Sequence, residues 1–101
     1  MKVDGFDWDP GNRKKGQRHG IPIEAIEEFL RNPIWVAPDP KHSQTEERFL
    51  AVGKSRTGRP MIVVFTFREA SGLTLIRPIT ARYMHQKEAE KYEQAFTKVE
   101  K

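Results

Sequence analysis

The run Met61-Ile62-Val63-Val64-Phe65-Thr66-Phe67 constrains the fold more than any other stretch of the chain. It is nearly all apolar and rich in β-branched and aromatic side chains, which marks a strand. It does not alternate, so both of its faces are expected to be covered and the strand to be central. It is far too short to span a bilayer. Turn segments flank it on both sides, Arg56-Thr57-Gly58-Arg59 and Ala70-Ser71-Gly72. They set it between the alternating segment Glu47–Lys54 and the β-prone segment Leu73–Arg82, which predicts a three-stranded antiparallel meander.

The rest of the chain supplies helices and short strands. Val3–Trp8 alternates and reads as a short edge strand. Asp9-Pro10 reads as a helix start, with Asp9 as N-cap and Pro10 in the first turn. That helix is expected to run to about His19, weakened by Gly11 and Gly16, and Gly20 closes it. Ile23, Ile26, Phe29 and Leu30 recur at helical spacing, so a second helix is expected over Ile23–Arg31, stopped by Asn32-Pro33. Ile34-Trp35-Val36 reads as a strand and 38–45 as a polar loop. A last helix is expected from about His85 to Val99, with Ala89, Tyr92, Phe96 and Val99 as its apolar stripe. The predicted class is α+β: two N-terminal helices, an antiparallel β-sheet meander and a C-terminal helix, in a single domain over 1–101. The helices are expected on one face of the sheet, with the other face partly open as a natural site.

Charge and composition narrow the function. Eighteen basic and fourteen acidic residues give a net charge of +4, which permits contact with nucleic acid without requiring it. There is no cysteine, so disulfide staples, thiolate zinc sites and cysteine nucleophiles are excluded. The three histidines lack metal-ligand spacing, so no metal site and no cofactor are expected. No phosphate-binding glycine loop or Gly-x-Ser-x-Gly elbow occurs. The first residues lack a hydrophobic region of signal-peptide type, and a cytoplasmic protein without membrane contact is expected.

The end of Leu73–Tyr83 carries the candidate chemistry. It places Arg77, Thr80, Arg82 and Tyr83 within seven residues. Arginine forks match phosphate oxygens and keep their charge, so they suit both the binding of a phosphodiester and the stabilisation of its transition state. Pro78 cannot donate to a ladder and implies an edge or a bulge. One extra residue there shifts the pleat and brings Arg77, Thr80 and Arg82 to one face. The competing reading of these arginines is a surface ion-pair network. Glu46-Glu47-Arg48 opens a strand, where a carboxylate near arginines could take a proton from a ribose 2′-hydroxyl or simply balance charge. His19 and His42 suit acid–base work, and equally a cap or plain surface. Trp8, Phe6 and Trp35 are read as core rather than as platforms for bases.

Phe6-Asp7-Trp8-Asp9 followed by Arg18-His19-Gly20-Ile21 resembles the opening of the BrnT-type toxins, an aromatic-acidic-Trp-Asp motif and then Lys-His-Gly-Val/Ile. Asn32-Pro33, His42-Ser43, Glu46-Glu47-Arg48-Phe49, Gly53, Val64-Phe65-Thr66, the stretch from Ile76 to Arg82, and Glu90-Lys91-Tyr92-Glu93 continue the resemblance in order over nearly the whole chain. It implies a RelE-like fold, metal-independent RNA cleavage that arrests translation, and the toxin role in a type II toxin–antitoxin pair. The implied partner is a BrnA-type antitoxin with a ribbon-helix-helix part, in a 2:2 complex that represses its own operon by binding operator DNA through the antitoxin. The implied catalytic set is Arg77, Thr80 and Arg82, with Glu47, Arg48 and His19 behind them. Lys14, Lys15, Arg18, Lys54 and Tyr83 are the candidate RNA contacts. Thr80 stands where the family more often has Ser, Arg18 where it has Lys, Gly16 where it often has Asn, and Tyr83-Met84 where a basic residue or proline and an alanine are usual. Two rivals remain: an inactive corepressor that only binds antitoxin, and a plain nucleic-acid-binding module.

Overall fold

The structure, a computed structural model, describes residues 3–33, 35–39, 41 and 46–99, and of 96–99 the backbone. Eight elements follow in order: β1 (Gly5–Phe6), α1 (Pro10–Gly16), α2 (Ile23–Arg31), β2 (Trp35–Pro38), β3 (Phe49–Lys54), β4 (Pro60–Ala70), β5 (Leu73–Tyr83) and α3 (Gln86–Val99). The five strands form one sheet in the order β1-β5-β4-β3-β2. The apolar run thus lies at the centre of the sheet, as its lack of alternation predicts. The β4–β5 turn is two residues long, with Ser71 (φ 51°) and Gly72 (φ 80°) both left-handed, the geometry that matches strand twist in a tight hairpin.

The architecture differs from the sequence expectation in two ways. The sheet is mixed, because β1 runs parallel to β5 through Gly5 opposite Leu75 and Phe6 opposite Ile76. The chain leaves β1 through both N-terminal helices and re-enters at the far edge, so β1 is not part of the meander. The helices also divide between the faces. Met61, Val63 and Phe65 of β4 share a buried core with Ala51, Ile76 and Ala81 and with Ile21, Ile26, Phe29 and Leu30 of the α2 region. Arg82 lies opposite Ile62 and Lys54 opposite Pro60, on the reverse face. These two residues pair with Glu88 and Glu93 of α3. The last helix therefore lies on the face that was expected to stay open, and Val52 and Val64 are buried there.

α1 ends at Gly16, three residues earlier than expected, with Gln17 as its C-cap and Gly20 (φ 77°) in the turn that follows. Asp9 caps it as expected, and Asn12 completes a capping box: Asp9 Oδ1 accepts from the Asn12 N–H at 3.0 Å, and Asn12 Oδ1 accepts from the Asp9 N–H at 2.6 Å. Gly16 is buried, and a Cβ there would stand 3.3 Å from the Trp8 ring. Trp8 packs on the core and donates its indole N–H to Glu27 at 2.8 Å. Phe6 also packs on the core, beneath the Arg31 guanidinium. Trp35 does not. It is 48% exposed on the edge strand β2, because no further strand covers that side of the sheet among the described residues. No helix among the described residues is long and apolar enough to cross a membrane.

Candidate active site

Pairing between β4 and β5 slips once. Val64 faces Thr80 and Phe65 faces Pro78, so Ile79 is the extra residue of a bulge. Pro78 can therefore sit inside the sheet without breaking a ladder bond. The slip has the expected consequence. Arg77 lies opposite Thr66, Thr80 opposite Val64 and Arg82 opposite Ile62, all alternate residues of β4 and hence one face. Asn12 locks the bulge to α1. Its buried Nδ2 donates to the carbonyls of Pro78 and Asp7, each at 2.9 Å.

A cavity of about 330 Å³ opens on this face, lined by Gly11, Asn12 and Lys15 of α1, by Glu46 and Arg48 ahead of β3, by Arg68 of β4 and by Arg77 and Ile79 of β5. Three guanidiniums, an ammonium and one carboxylate line it. Glu46 reaches Arg48 and Arg68, each at 3.4 Å. Those contacts are long beside the roughly 2.7–2.9 Å of a strong charge-assisted bond. Arg77 is held from the side: Asp9 takes one guanidinium nitrogen at 2.7 Å and Asp7 the other at 3.4 Å. Asp9 is held below the usual carboxylate range, chiefly by the Asn12 N–H and then by Arg77. Arg77 is only 18% exposed, and the two carboxylates fix its direction on the cavity wall.

The other sequence candidates fall in different places. Arg82 shares the face but turns to α3. Its guanidinium grips both Glu88 oxygens at 2.8 Å, which raises its pKa further. Glu88 also accepts the His85 N–H at 2.9 Å, capping α3. With the Arg82 bonds as the main cause, its pKa falls to about 2. Thr80 is exposed on the same face, outside the cavity lining. Glu47 is exposed and contributes its carbonyl, which accepts from the Thr66 hydroxyl at 2.7 Å; its neighbour Glu46 supplies the carboxylate in the cavity. His19 is exposed in the turn after α1, away from the cavity lining. His42 lies outside the described residues. Tyr83 is on the core side of the sheet, with the Arg59 guanidinium 3.7 Å from its ring centre, and Lys54 pairs with Glu93 at 3.1 Å. Lys14, Lys15 and Arg18 line a groove of about 230 Å³ with Gly11, beside the cavity. Asn12, the hold of Asp7 and Asp9 on Arg77, and Arg68 in the cavity wall were not read from the sequence. The capping-box spacing from Asp9 to Asn12 was the available signal for one of them. The pairing of Arg68 with Arg77 across a cavity had none, because it depends on strand register.

Among the described residues, no group of three or more His, Asp or Glu side chains is arranged to hold a metal ion. Comparison with curated proteins finds no match. A family model described as the ribonuclease toxin BrnT of type II toxin–antitoxin systems matches residues 8–88, which takes in α1, the whole sheet except β1, and the cavity. The chain therefore belongs to the BrnT family of ribonuclease toxins of type II toxin–antitoxin systems.

Proposed function

We propose that this chain cuts RNA at the cavity between α1 and β5, without a metal ion, by attack of a ribose 2′-oxygen on the adjacent phosphate. The observation that carries this is the gathering of Arg48, Arg68, Arg77 and Lys15 around the single carboxylate of Glu46, on the wall built by the β5 bulge. In the step, the 2′-hydroxyl gives its proton to Glu46 and its oxygen bonds to phosphorus. The bond to the 5′-oxygen breaks, and that oxygen takes a proton from solvent water, leaving a 2′,3′-cyclic phosphate and a 5′-hydroxyl; the proton on Glu46 returns to solvent. Arg77, pre-aimed by Asp7 and Asp9, and Arg48 and Arg68 stabilise the extra charge on the phosphoryl oxygens. Such chemistry has no use for DNA, which lacks the 2′-hydroxyl. Loss of messenger RNA would stop translation and growth. A BrnA-type antitoxin with a ribbon-helix-helix part would neutralise the toxin, and the 2:2 complex would repress its operon at operator DNA. The two N-terminal helices, the sheet and the basic face support kinship with the RelE-like ribonucleases.

The test is cleavage of RNA by the purified chain in excess chelator, with analysis of product ends. Cyclic phosphate and 5′-hydroxyl ends are expected. Arg77→Ala should slow cleavage by about 10²–10³-fold, as for loss of one oxyanion donor. Glu46→Gln should slow it by about 10²-fold or more, as for loss of a general base. Loss of activity in chelator overturns metal independence, and full activity in both variants overturns the site. A chain that binds antitoxin but leaves RNA intact and growth unaffected is a corepressor instead.

A further inference from the structure

The cations of the sheet and those of the α1 region differ in their partners. Those on the sheet are matched to carboxylates: Arg68 to Glu46, Arg77 to Asp9, Arg82 to Glu88, Lys54 to Glu93, and in the loop Arg56 to Glu28. Lys14, Lys15 and Arg18 take no ion pair among the described residues, and all three are exposed. Lys14 and Lys15 lie in the last turn of α1 and Arg18 follows its C-cap, so three like charges stand close together. The helix C-terminus offsets part of their repulsion. No carboxylate of α1 offsets the rest, since its first turn contains none.

Lys14, Lys15 and Arg18 lie side by side. With Gly11 they line one groove, and Gly11 and Lys15 also line the cavity that holds Arg48, Arg68 and Arg77. The two depressions are therefore neighbours that share a wall. That wall is fixed. Asn12 binds α1 to the Pro78 carbonyl of β5, and Gly16 lets the far end of α1 close on Trp8. An anion held in the groove would thus sit at a set distance from one held in the cavity.

We propose that the groove of Gly11, Lys14, Lys15 and Arg18 is a second phosphate subsite, which holds the phosphate flanking the reacting phosphodiester of an RNA strand. This rests on reading the cavity as the cleavage site. It makes the preferred substrate a strand with at least two consecutive phosphodiesters, with Lys15 between the two phosphates. Because the contacts are to phosphate alone, the subsite adds affinity without reading sequence.

The experiment compares a dinucleotide with one phosphodiester and a tetranucleotide, using the wild-type chain and the double variant Lys14→Ala/Arg18→Ala. In the wild type the longer substrate should gain about tenfold or more in kcat/KM, chiefly through KM, the scale of one charge-assisted contact. The double variant should lose most of that gain. A gain that persists in the variant, or none in the wild type, overturns the subsite. Binding of an uncleavable 2′-O-methyl strand, followed by fluorescence anisotropy across a salt series, gives a second measure. The variant should show a log Kd against log salt slope shallower by about 0.7, the release expected for one phosphate on a single strand. An unchanged slope overturns the subsite. If the wild type cuts neither substrate, the cleavage reading fails, and the salt slope still decides the groove.

Discussion

Asn12→Ala should be among the most damaging substitutions in this protein, although Asn12 is neither part of the apolar core cluster nor charged. Its side chain makes three hydrogen bonds: to the Asp7 carbonyl at 2.9 Å, to the Pro78 carbonyl at 2.9 Å and from the Asp9 N–H at 2.6 Å. The residue is 5% exposed, so water cannot readily replace the lost partner. At a net of about 1 kcal/mol per hydrogen bond, the loss is about 3 kcal/mol. The bond to Pro78 is fully buried, and its orphaned carbonyl adds to the penalty rather than relieving it. For a domain of this size the change corresponds to a fall in Tm of about 12–24 °C. Urea unfolding followed by circular dichroism, with m unchanged, measures it directly. Asn12→Asp separates donor loss from cavity formation. It keeps shape and the acceptor but turns a carboxylate toward two carbonyls, so at neutral pH it should cost no less than alanine. A loss under about 1 kcal/mol in Asn12→Ala, or near-native stability in Asn12→Asp, refutes the clamp between α1 and the bulge.

Other perturbations probe the remaining links. Asp9→Asn keeps a good N-cap acceptor but removes the charge beside Arg77. It should leave Tm within a few degrees, tighten binding of an uncleavable RNA, and slow single-turnover cleavage; unchanged cleavage would mean that Arg77 needs no lateral support. Glu88 has its folded pKa lowered to about 2 from 4.5, so its bonds stabilise the fold above the unfolded value and that contribution is lost as pH falls from about 4.5 toward 2. Both partners are about a third exposed, which limits the effect to roughly 1 kcal/mol. Urea midpoints of wild type and Glu88→Gln should accordingly differ at pH 7 and converge near pH 2, and a constant difference would contradict the assignment. Gly16→Asn, the residue common at that position in the family, should destabilise this chain by about 1–3 kcal/mol, because Trp8 is pinned by Glu27 against the space a side chain needs. Calorimetry showing no loss would mean that Trp8 can move.

The linear sequence was enough to determine the elements that rest on local chemistry. The apolar run of β4, the 3.6-residue stripe of α2, the Asp9 cap and the glycine turns each state their structure through nearest neighbours. Pro78 likewise pointed to an edge or a bulge, since a strand residue without an N–H has few other places; the register shows the bulge, which puts Arg77, Thr80 and Arg82 on one face. Only the tertiary structure decided what those groups meet. Arg82 and Arg77 are equivalent in the sequence, yet one grips Glu88 of a helix that crosses the reverse face and the other is aimed into a cavity by Asp7 and Asp9. Glu46 and Glu47 are adjacent and identical in type, and the bend ahead of β3 puts one in the cavity wall and leaves the other exposed. Arg68 reaches the site through pairing across β4 and β5, and Lys15 through the anchoring of α1. Such meetings depend on register and docking, which are long-range properties that no local pattern encodes.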